Sequence, residues 1–166
     1  PDVLTYTGAP LTAPLELVGP VEAEVYVRSD LPYFDVFLRL CDVDRRGRSW
    51  NVCDGLVRVE PGRFPADADG VVRVPVELWP VAHRFAAGHR LRLQVSGGAH
   101  PRYARNPGTG EPLGSAVDLR AGHREVRHGP AYPSVLRLPV SEPTRRPGAV
   151  PFRGVVGDRA PGASDG

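Results

Sequence analysis

The last five residues, 162–166, match the G-x-S-x-G pattern of a serine nucleophile elbow. An elbow needs its serine on a tight turn between a buried strand and a helix, beside backbone amides that hold the oxyanion. Here Ser164 lies in a segment rich in Gly and Pro, without a strand or helix pattern around it. We therefore interpret the match as chance and predict no catalytic residue in this chain.

The five histidines are the next candidates for catalysis or metal binding. His83 and His89 are six residues apart across a predicted turn, and this spacing fits neither a helical nor a strand pair of ligands to one metal. His123 and His128 have no Ser or Cys nearby for a general base to activate. We expect these four and His100 to be structural or solvent-exposed, although a fold can bring distant residues together.

Two acidic pairs, Asp42 with Asp44 and Asp67 with Asp69, could share a calcium ion, since carboxylates two residues apart on a loop suit a hard cation. Neither pair is part of a full EF-hand loop, and each comes shortly before a glycine. Turn-forming aspartates explain both pairs better. The Gly-rich segments lack the lysine of a phosphate-binding loop. The sequence therefore predicts no metal and no cofactor.

Two tryptophans and two cysteines each allow two interpretations. Trp50 and Trp79 could form a platform for a sugar ring, but with aromatic residues at only 7% of the chain we favour core or interface positions. Cys41 and Cys53 could pair if they lie on one hairpin. They are too few for a disulfide scaffold and not at a metal-ligand spacing, so we favour two reduced core thiols.

The composition excludes several partner classes. The chain has 166 residues with a net charge of +2, and its basic residues, all Arg, are spread along the sequence. Such a balance argues against nucleic acid and anionic membranes as partners. No signal peptide is evident, and no apolar run approaches the roughly 20 residues of a membrane span. Because the chain starts in a strand pattern and contains no Met, we expect a fragment whose missing part lies upstream.

Alternating apolar and polar residues dominate the chain and predict strands. The clearest are 21–28, 34–43, 71–78 and 89–95. Because proline cannot donate to a ladder, the nitrogen of Pro75 must face outward or the residue must lie at a sheet edge. Residues 42–48 form a predicted turn, 81–87 a short helical turn, and 96–115 a long irregular segment. Seven to nine short strands indicate an all-β fold, an antiparallel β-sandwich or jelly roll. We assign 1–140 to this domain and 141–166 to a disordered tail.

Several ordered segments resemble the C-terminal domain of the X-Pro dipeptidyl-peptidase and cocaine-esterase-like serine hydrolase family. The resemblance spans roughly residues 2–140 and rests on segments 4–11, 18–21, 40–44, 54–58, 77–93, 101–102, 106–110 and 132–140. It implies a jelly roll of galactose-binding-like topology. It also implies that the domain packs on an α/β-hydrolase domain earlier in the polypeptide, which carries the Ser-His-Asp triad.

The long irregular segment suggests where such packing occurs, because unpatterned loops in regular domains are commonly functional. We predict that segment 96–115 and the 79–85 turn face the hydrolase domain through Trp79, Phe85, Arg102, Tyr103, Arg105 and Asn106. A carbohydrate-binding module is the alternative, since related sandwiches host sugar sites. That alternative predicts an exposed aromatic residue beside convergent polar groups.

Overall fold

The computed structural model describes residues 2–141, and these residues form two antiparallel sheets. This confirms the predicted all-β sandwich. Within the described residues there is no helix, and so none long and apolar enough to cross a membrane. The eight strands are β1 (Val3–Thr7), β2 (Leu15–Ser29), β3 (Phe34–Val43), β4 (Ser49–Val59), β5 (Val71–Phe85), β6 (Arg90–Ser96), β7 (Arg124–Arg127) and β8 (Val135–Arg137).

The first sheet has the strand order β1-β6-β3-β4, and the second has the order β5-β2-β7, with β8 also paired to β2. The hydrophobic core lies between them, because the apolar positions of each strand alternate with polar ones and turn to the same side. Val21, Val25 and Val27 of β2 face Leu38 and Leu40 of β3 in this core, as the alternation predicts.

Strand β3 is buried along both faces, since only Arg39 among its ten residues is not buried. Its inner residues belong to the core, whereas the outward Asp35 and Phe37 are covered by the irregular segment that follows β6. The nearly continuous apolar run of this strand is typical of a strand covered on both faces. This double cover makes the outer side of β3 and β4 the place where the long loop is anchored.

The predicted helical turn over 81–87 is wrong, because β5 continues to Phe85. Val81 pairs with Gly19 and Leu78 with Val21, so Trp79 and Pro80 form an irregularity that shifts the register against β2. Beyond this bulge the strand alternation resumes in a different phase. The phase change breaks the alternation along the strand, so the local pattern predicts a helical turn instead.

The edge of the sandwich at β4 and β5 is tightly closed. Strand β5 is the outermost strand of its sheet, so Pro75 lies at an edge as predicted. A Cβ added at Gly55 of β4 would lie 2.2 Å from the carbonyl oxygen of Glu77 on β5. Only glycine permits this approach of the two backbones.

The proposed tail and its G-x-S-x-G match fall on residues beyond Ser141, outside the described residues. The division at residue 140 therefore stays a prediction.

Candidate docking surface

Three cross-strand pairs line the outer face of β3 and β4. Asp35 lies opposite Arg58, Phe37 opposite Leu56, and Arg39 opposite Asp54. Asp35 and Phe37 are buried, at 1% and 3% exposure, although they are on the outside of the sheet. The residues that cover them come from the irregular segment after β6.

Asp35 is the centre of a buried ionic network. Arg58 donates to it through Nε and Nη2, at 2.9 Å each, and Asn106 Nδ2 donates to Oδ1 at 2.7 Å. Arg58 Nη2 also donates to the carbonyl of Ala104 at 3.1 Å. The hydrogen bonds to Asp35 raise the pKa of Arg58. A buried carboxylate needs this many partners because an unpaired charge there is costly.

A second network holds the neighbouring part of the loop. Arg102 Nε donates to Asp54 Oδ1 at 2.8 Å, and Arg39 Nη2 lies 3.6 Å from Asp54 Oδ2. The ring of Tyr103 packs on Phe37 with centroids 5.9 Å apart. The structure therefore places Arg102, Tyr103 and Asn106 in contacts that fix the loop to the sheet.

Trp79 stands out because its side chain is 64% exposed. It lies in a depression of about 330 Å³ whose other walls include Leu56, Pro80 and Tyr103. We call these four residues the Trp79 surface. The structure thus brings together two of the predicted docking residues, Trp79 and Tyr103, which are 24 positions apart in sequence.

The remaining predicted docking residues are distributed differently. Arg105 is exposed. Phe85 is fully buried at 0% exposure and belongs to the core, so its side chain cannot form part of a docking surface. The physical reason is the bulge in β5, which turns Phe85 inward. Neither tryptophan is a core residue, since Trp50 is also 56% exposed.

Two histidines converge on one buried carboxylate at the far end of β3. His83 Nε2 donates to Asp42 Oδ2 at 3.0 Å, and His89 Nδ1 donates to Asp42 Oδ1 at 2.8 Å. His83 lies on β5 and Asp42 on β3, so the contact joins the two sheets. The prediction of structural histidines is confirmed for this pair, but the sequence did not indicate their shared partner.

The other histidines do not form a catalytic group within residues 2–141. His100, His123 and His128 are exposed, and the hydroxyl of Tyr6 lies 3.2 Å from His128 Nε2. None of the side-chain hydrogen bonds of the described residues joins a histidine to a serine or a cysteine. The part of the chain that the structure describes therefore contains no nucleophile paired with a base.

The acidic pairs act mainly in turns. Asp44 Oδ1 accepts from the amides of Arg46 and Arg48 at 2.8 and 3.0 Å. Desolvation raises the pKa of Asp44, but hydrogen bonds from Arg48 and Arg46 outweigh it and lower the pKa to about 2. Asp67 Oδ1 likewise accepts from the amides of Asp69 and Val71. Among residues 2–141 no group of three or more His, Cys, Asp or Glu is arranged to hold a metal.

The two cysteines are free and buried, as predicted. Burial raises the pKa of Cys53 to about 11 and also raises that of Cys41. Both thiols are therefore protonated and unreactive near neutral pH.

Comparison with known sequences settles the family. Residues 1–137 match the X-Pro dipeptidyl-peptidase C-terminal non-catalytic domain. The chain belongs to this family. The resemblance found in the sequence is confirmed, and the chain is a non-catalytic C-terminal domain of the kind found in cocaine-esterase-like hydrolases.

Relatives of this X-Pro dipeptidyl-peptidase C-terminal domain are longer hydrolases. The chain is 32% identical over 148 residues to cocaine esterase from Rhodococcus sp. (strain MB1 Bresler), covering 84% of this chain and 25% of that protein. An alpha-amino acid ester hydrolase structure matches with a TM-score of 0.76 and 27% identity, covering 85% of this chain and 26% of that one.

An aminopeptidase structure from the marine sediment archaeon Thaumarchaeota archaeon has the same fold, with a TM-score of 0.71 and 24% identity over 82% of this chain and 25% of that one. The chain thus spans about a quarter of the relatives that it matches. These matches favour the hydrolase interpretation over a carbohydrate-binding module. The galactose-binding-like label stays a prediction.

Proposed function

We propose that this domain packs on a serine-hydrolase catalytic domain of the same polypeptide and supports it. The whole protein would then hydrolyse acyl ester, amide or X-Pro peptide bonds. The observation that carries the proposal is the length of the relatives, because the matched region is only 25–26% of the cocaine esterase and the ester hydrolase. Most of such a polypeptide lies outside this non-catalytic domain, where the catalytic residues can reside.

The Trp79 surface is the contact that we propose with the catalytic domain. An indole that is 64% exposed leaves a large apolar area in water. Its burial against another protein is favoured by roughly 25 cal/mol per Å². Trp side chains at the centre of an interface commonly dominate its binding energy. Leu56 and Tyr103 extend the apolar area around the indole.

The loop at this surface is anchored to the sheet by hydrogen bonds, which suits a docking role. Asp54 holds Arg102 and Asp35 holds Asn106, so the loop that carries Tyr103 is fixed on both sides. A surface that is ordered before binding loses less conformational entropy when it binds. Arg105 belongs to the same loop and is exposed, so its charge is open to contact by a partner. We therefore propose Arg102 and Asn106 as positioning residues and Trp79, Tyr103 and Arg105 as contact residues.

The first test is the coding sequence upstream of residue 1. The proposal requires a G-x-S-x-G elbow there, preceded by a predicted buried strand and followed by a helix. An upstream sequence without a hydrolase pattern would overturn the proposal.

The second test compares Trp79→Ala with Trp50→Ala in the longer polypeptide. Both side chains are exposed in the domain, at 64% and 56%, but Trp50 is not part of the Trp79 surface. We expect Trp79→Ala to weaken association of the two domains by about 2–4 kcal/mol, as for a central interface tryptophan. Trp50→Ala should have no such effect.

The measurement is the thermal unfolding of the longer polypeptide, together with titration of the separately expressed catalytic domain with this chain. In the isolated chain both variants should unfold like the parent, because both indoles are exposed. Equal behaviour of the two variants in the longer polypeptide would contradict the proposed surface. Heat of binding with simple sugars, lost in Trp79→Ala, would instead favour the carbohydrate-binding alternative.

A further inference from the structure

A pocket of about 530 Å³ opens between the sheets at the end of the sandwich where β3 begins. Its volume is in the range of small-molecule sites. It lies away from the Trp79 surface and shares no lining residue with it. The floor is apolar and consists of Leu4, Val27, Val36, Val95 and Val126.

Arg124 on β7 lines this pocket, which we call the Arg124 pocket. Its Nε is buried and has no hydrogen-bond partner. Within residues 2–141, the arginines that form ion pairs with carboxylates are Arg39, Arg48, Arg58, Arg73, Arg84, Arg102 and Arg127. Arg124 is not among them, although buried polar groups are almost always satisfied. Among residues 2–141 the Nε of Arg39 is also buried without a partner, but the Arg39 guanidinium has Asp54 beside its Nη2, whereas that of Arg124 is left without a carboxylate.

The guanidinium is held in place by its surroundings. The ring of Phe34 lies below it, with Cζ 5.9 Å from the ring centroid. On another side it approaches the backbone at Gly97, where an added Cβ would be 2.8 Å from Nη1 of Arg124. Any side chain at position 97 would thus displace the guanidinium. The group is positioned at the pocket wall without a carboxylate to position it.

The other charges around the pocket leave a positive site. Asp35 also lines it, but its charge is matched by Arg58 and by the Asn106 amide. Arg120 and the exposed Asp2 lie on the lining as well. His123 is at the rim and is exposed. The lining thus has two arginines without a carboxylate partner among the described residues, and one unpaired carboxylate in solvent.

We propose that the Arg124 pocket binds a small carboxylic acid anion with an apolar body, such as a short aliphatic carboxylate. The planar guanidinium offers the fork geometry that a carboxylate accepts. The valine-lined floor takes the hydrocarbon part, as in most small-molecule sites. The inference does not depend on the docking role proposed for the Trp79 surface: the pocket shares none of its four residues, although Asn106, which anchors the loop that carries Tyr103, also lines the pocket.

The test titrates the ¹⁵N-labelled chain with hexanoate and, separately, with hexanamide, which has the same apolar body without the charge. Hexanoate should shift the backbone amide signals of Ser96, Gly97 and Gly122, which line the pocket. We expect hexanamide to bind at least about tenfold more weakly, since a hydrogen bond to a charged group is worth that much or more. Acetate, which lacks the apolar body, should also bind more weakly.

Two variants complete the experiment. Arg124→Gln should weaken hexanoate binding about tenfold and remove the preference over hexanamide. Arg127→Gln is the matched control, because Arg127 lies on the same strand but pairs with Glu125 and does not line the pocket. It should bind hexanoate like the parent.

Equal binding of hexanoate and hexanamide by the unaltered chain would overturn the proposal, and this comparison needs no variant to fold. Undiminished hexanoate binding by Arg124→Gln would do the same. An absence of shifts with any of the three compounds would also refute it. That last result is expected if the guanidinium serves instead to pair with an acidic side chain of another protein domain.

Discussion

At the end of the sandwich where β3 finishes, Asp42 has both carboxylate oxygens within 3.0 Å of histidine nitrogens. At the end where β3 begins, the Nε of Arg124 is buried without a partner. Both residues lie on strands of the sandwich, Asp42 on β3 of the first sheet and Arg124 on β7 of the second. The difference teaches that one end uses its polar group to join the sheets, whereas the other end keeps one available for binding.

The largest expected effect on stability is at the end of the sandwich where β3 begins, and it comes from Asp35, the carboxylate there that is fully paired. Asp35→Ala removes the partner of Arg58 and the anchor of Asn106. We expect a loss of about 3 kcal/mol in the free energy of unfolding, because the partly buried guanidinium of Arg58 loses its carboxylate and the Asn106 amide loses its acceptor. Urea denaturation of the chain measures it.

Glu22→Ala is the control for this variant, since Glu22 is exposed on β2 and should change stability by less than about 0.5 kcal/mol. A small effect of Asp35→Ala would mean that the loop is held by other contacts. It would also remove the contrast between Asp35 and Arg124 at this end.

The second effect is at the opposite end. Asp42→Ala leaves His83 and His89 without their acceptor, and we expect it to lower the free energy of unfolding by about 2 kcal/mol. This loss is smaller than that of Asp35→Ala because both histidines are partly exposed. Asp42→Asn retains an acceptor oxygen and should cost less than the alanine variant. Urea midpoints of the three proteins give the comparison. Identical midpoints would show that this contact does not join the sheets.

A smaller, pH-dependent effect is expected from the turn beside Asp42. The folded-state pKa of Asp44 is about 2, below its ordinary value of 3.8. The ionised carboxylate therefore stabilises the fold above pH 3.8, and this contribution is lost as the pH falls toward 2. The stability difference between the parent and Asp44→Ala should narrow over that interval. A difference independent of pH would contradict the assigned hydrogen bonds.

The smallest effect should come from Arg124. Because its guanidinium has no carboxylate partner and contributes mainly packing on Phe34, Arg124→Gln should change the free energy of unfolding by no more than about 1 kcal/mol. Arg58→Gln, which breaks a buried pair, should be far more destabilising. If denaturation shows similar losses for both, Arg124 is a structural residue and the contrast between the two ends disappears.

Most of the fold could be predicted from sequence because alternation is local. The pattern over 34–43 predicts β3 with its observed bounds, and that over 89–95 predicts β6 to within a residue. The failure at 81–87 follows from the bulge at Trp79 and Pro80, where the alternation changes phase. A bulge depends on the partner strand, which a single segment does not reveal.

The side-chain contacts were harder to predict than the strands, both at Asp42 and at the Trp79 surface, because they join residues that are distant in sequence. Asp42 is 41 residues from His83 and 47 from His89. One local signal was present: Asp42 continues the inward phase of Val36, Leu38 and Leu40, and a charge at an inward position requires a partner. The exposure of Trp79 and the burial of Phe85 both depend on the bulge. Sequence alone therefore assigned these two side chains to the same surface.

The two buried thiols have a practical consequence for measuring domain contacts. Because Cys41 and Cys53 are protonated and inaccessible, thiol-directed dyes will not modify them in the folded chain. A single cysteine introduced at Arg105 can then carry a fluorophore or spin label without removal of the native cysteines. This domain is thus ready for site-specific labelling, and distances from position 105 to a partner can be measured on an otherwise unaltered sequence.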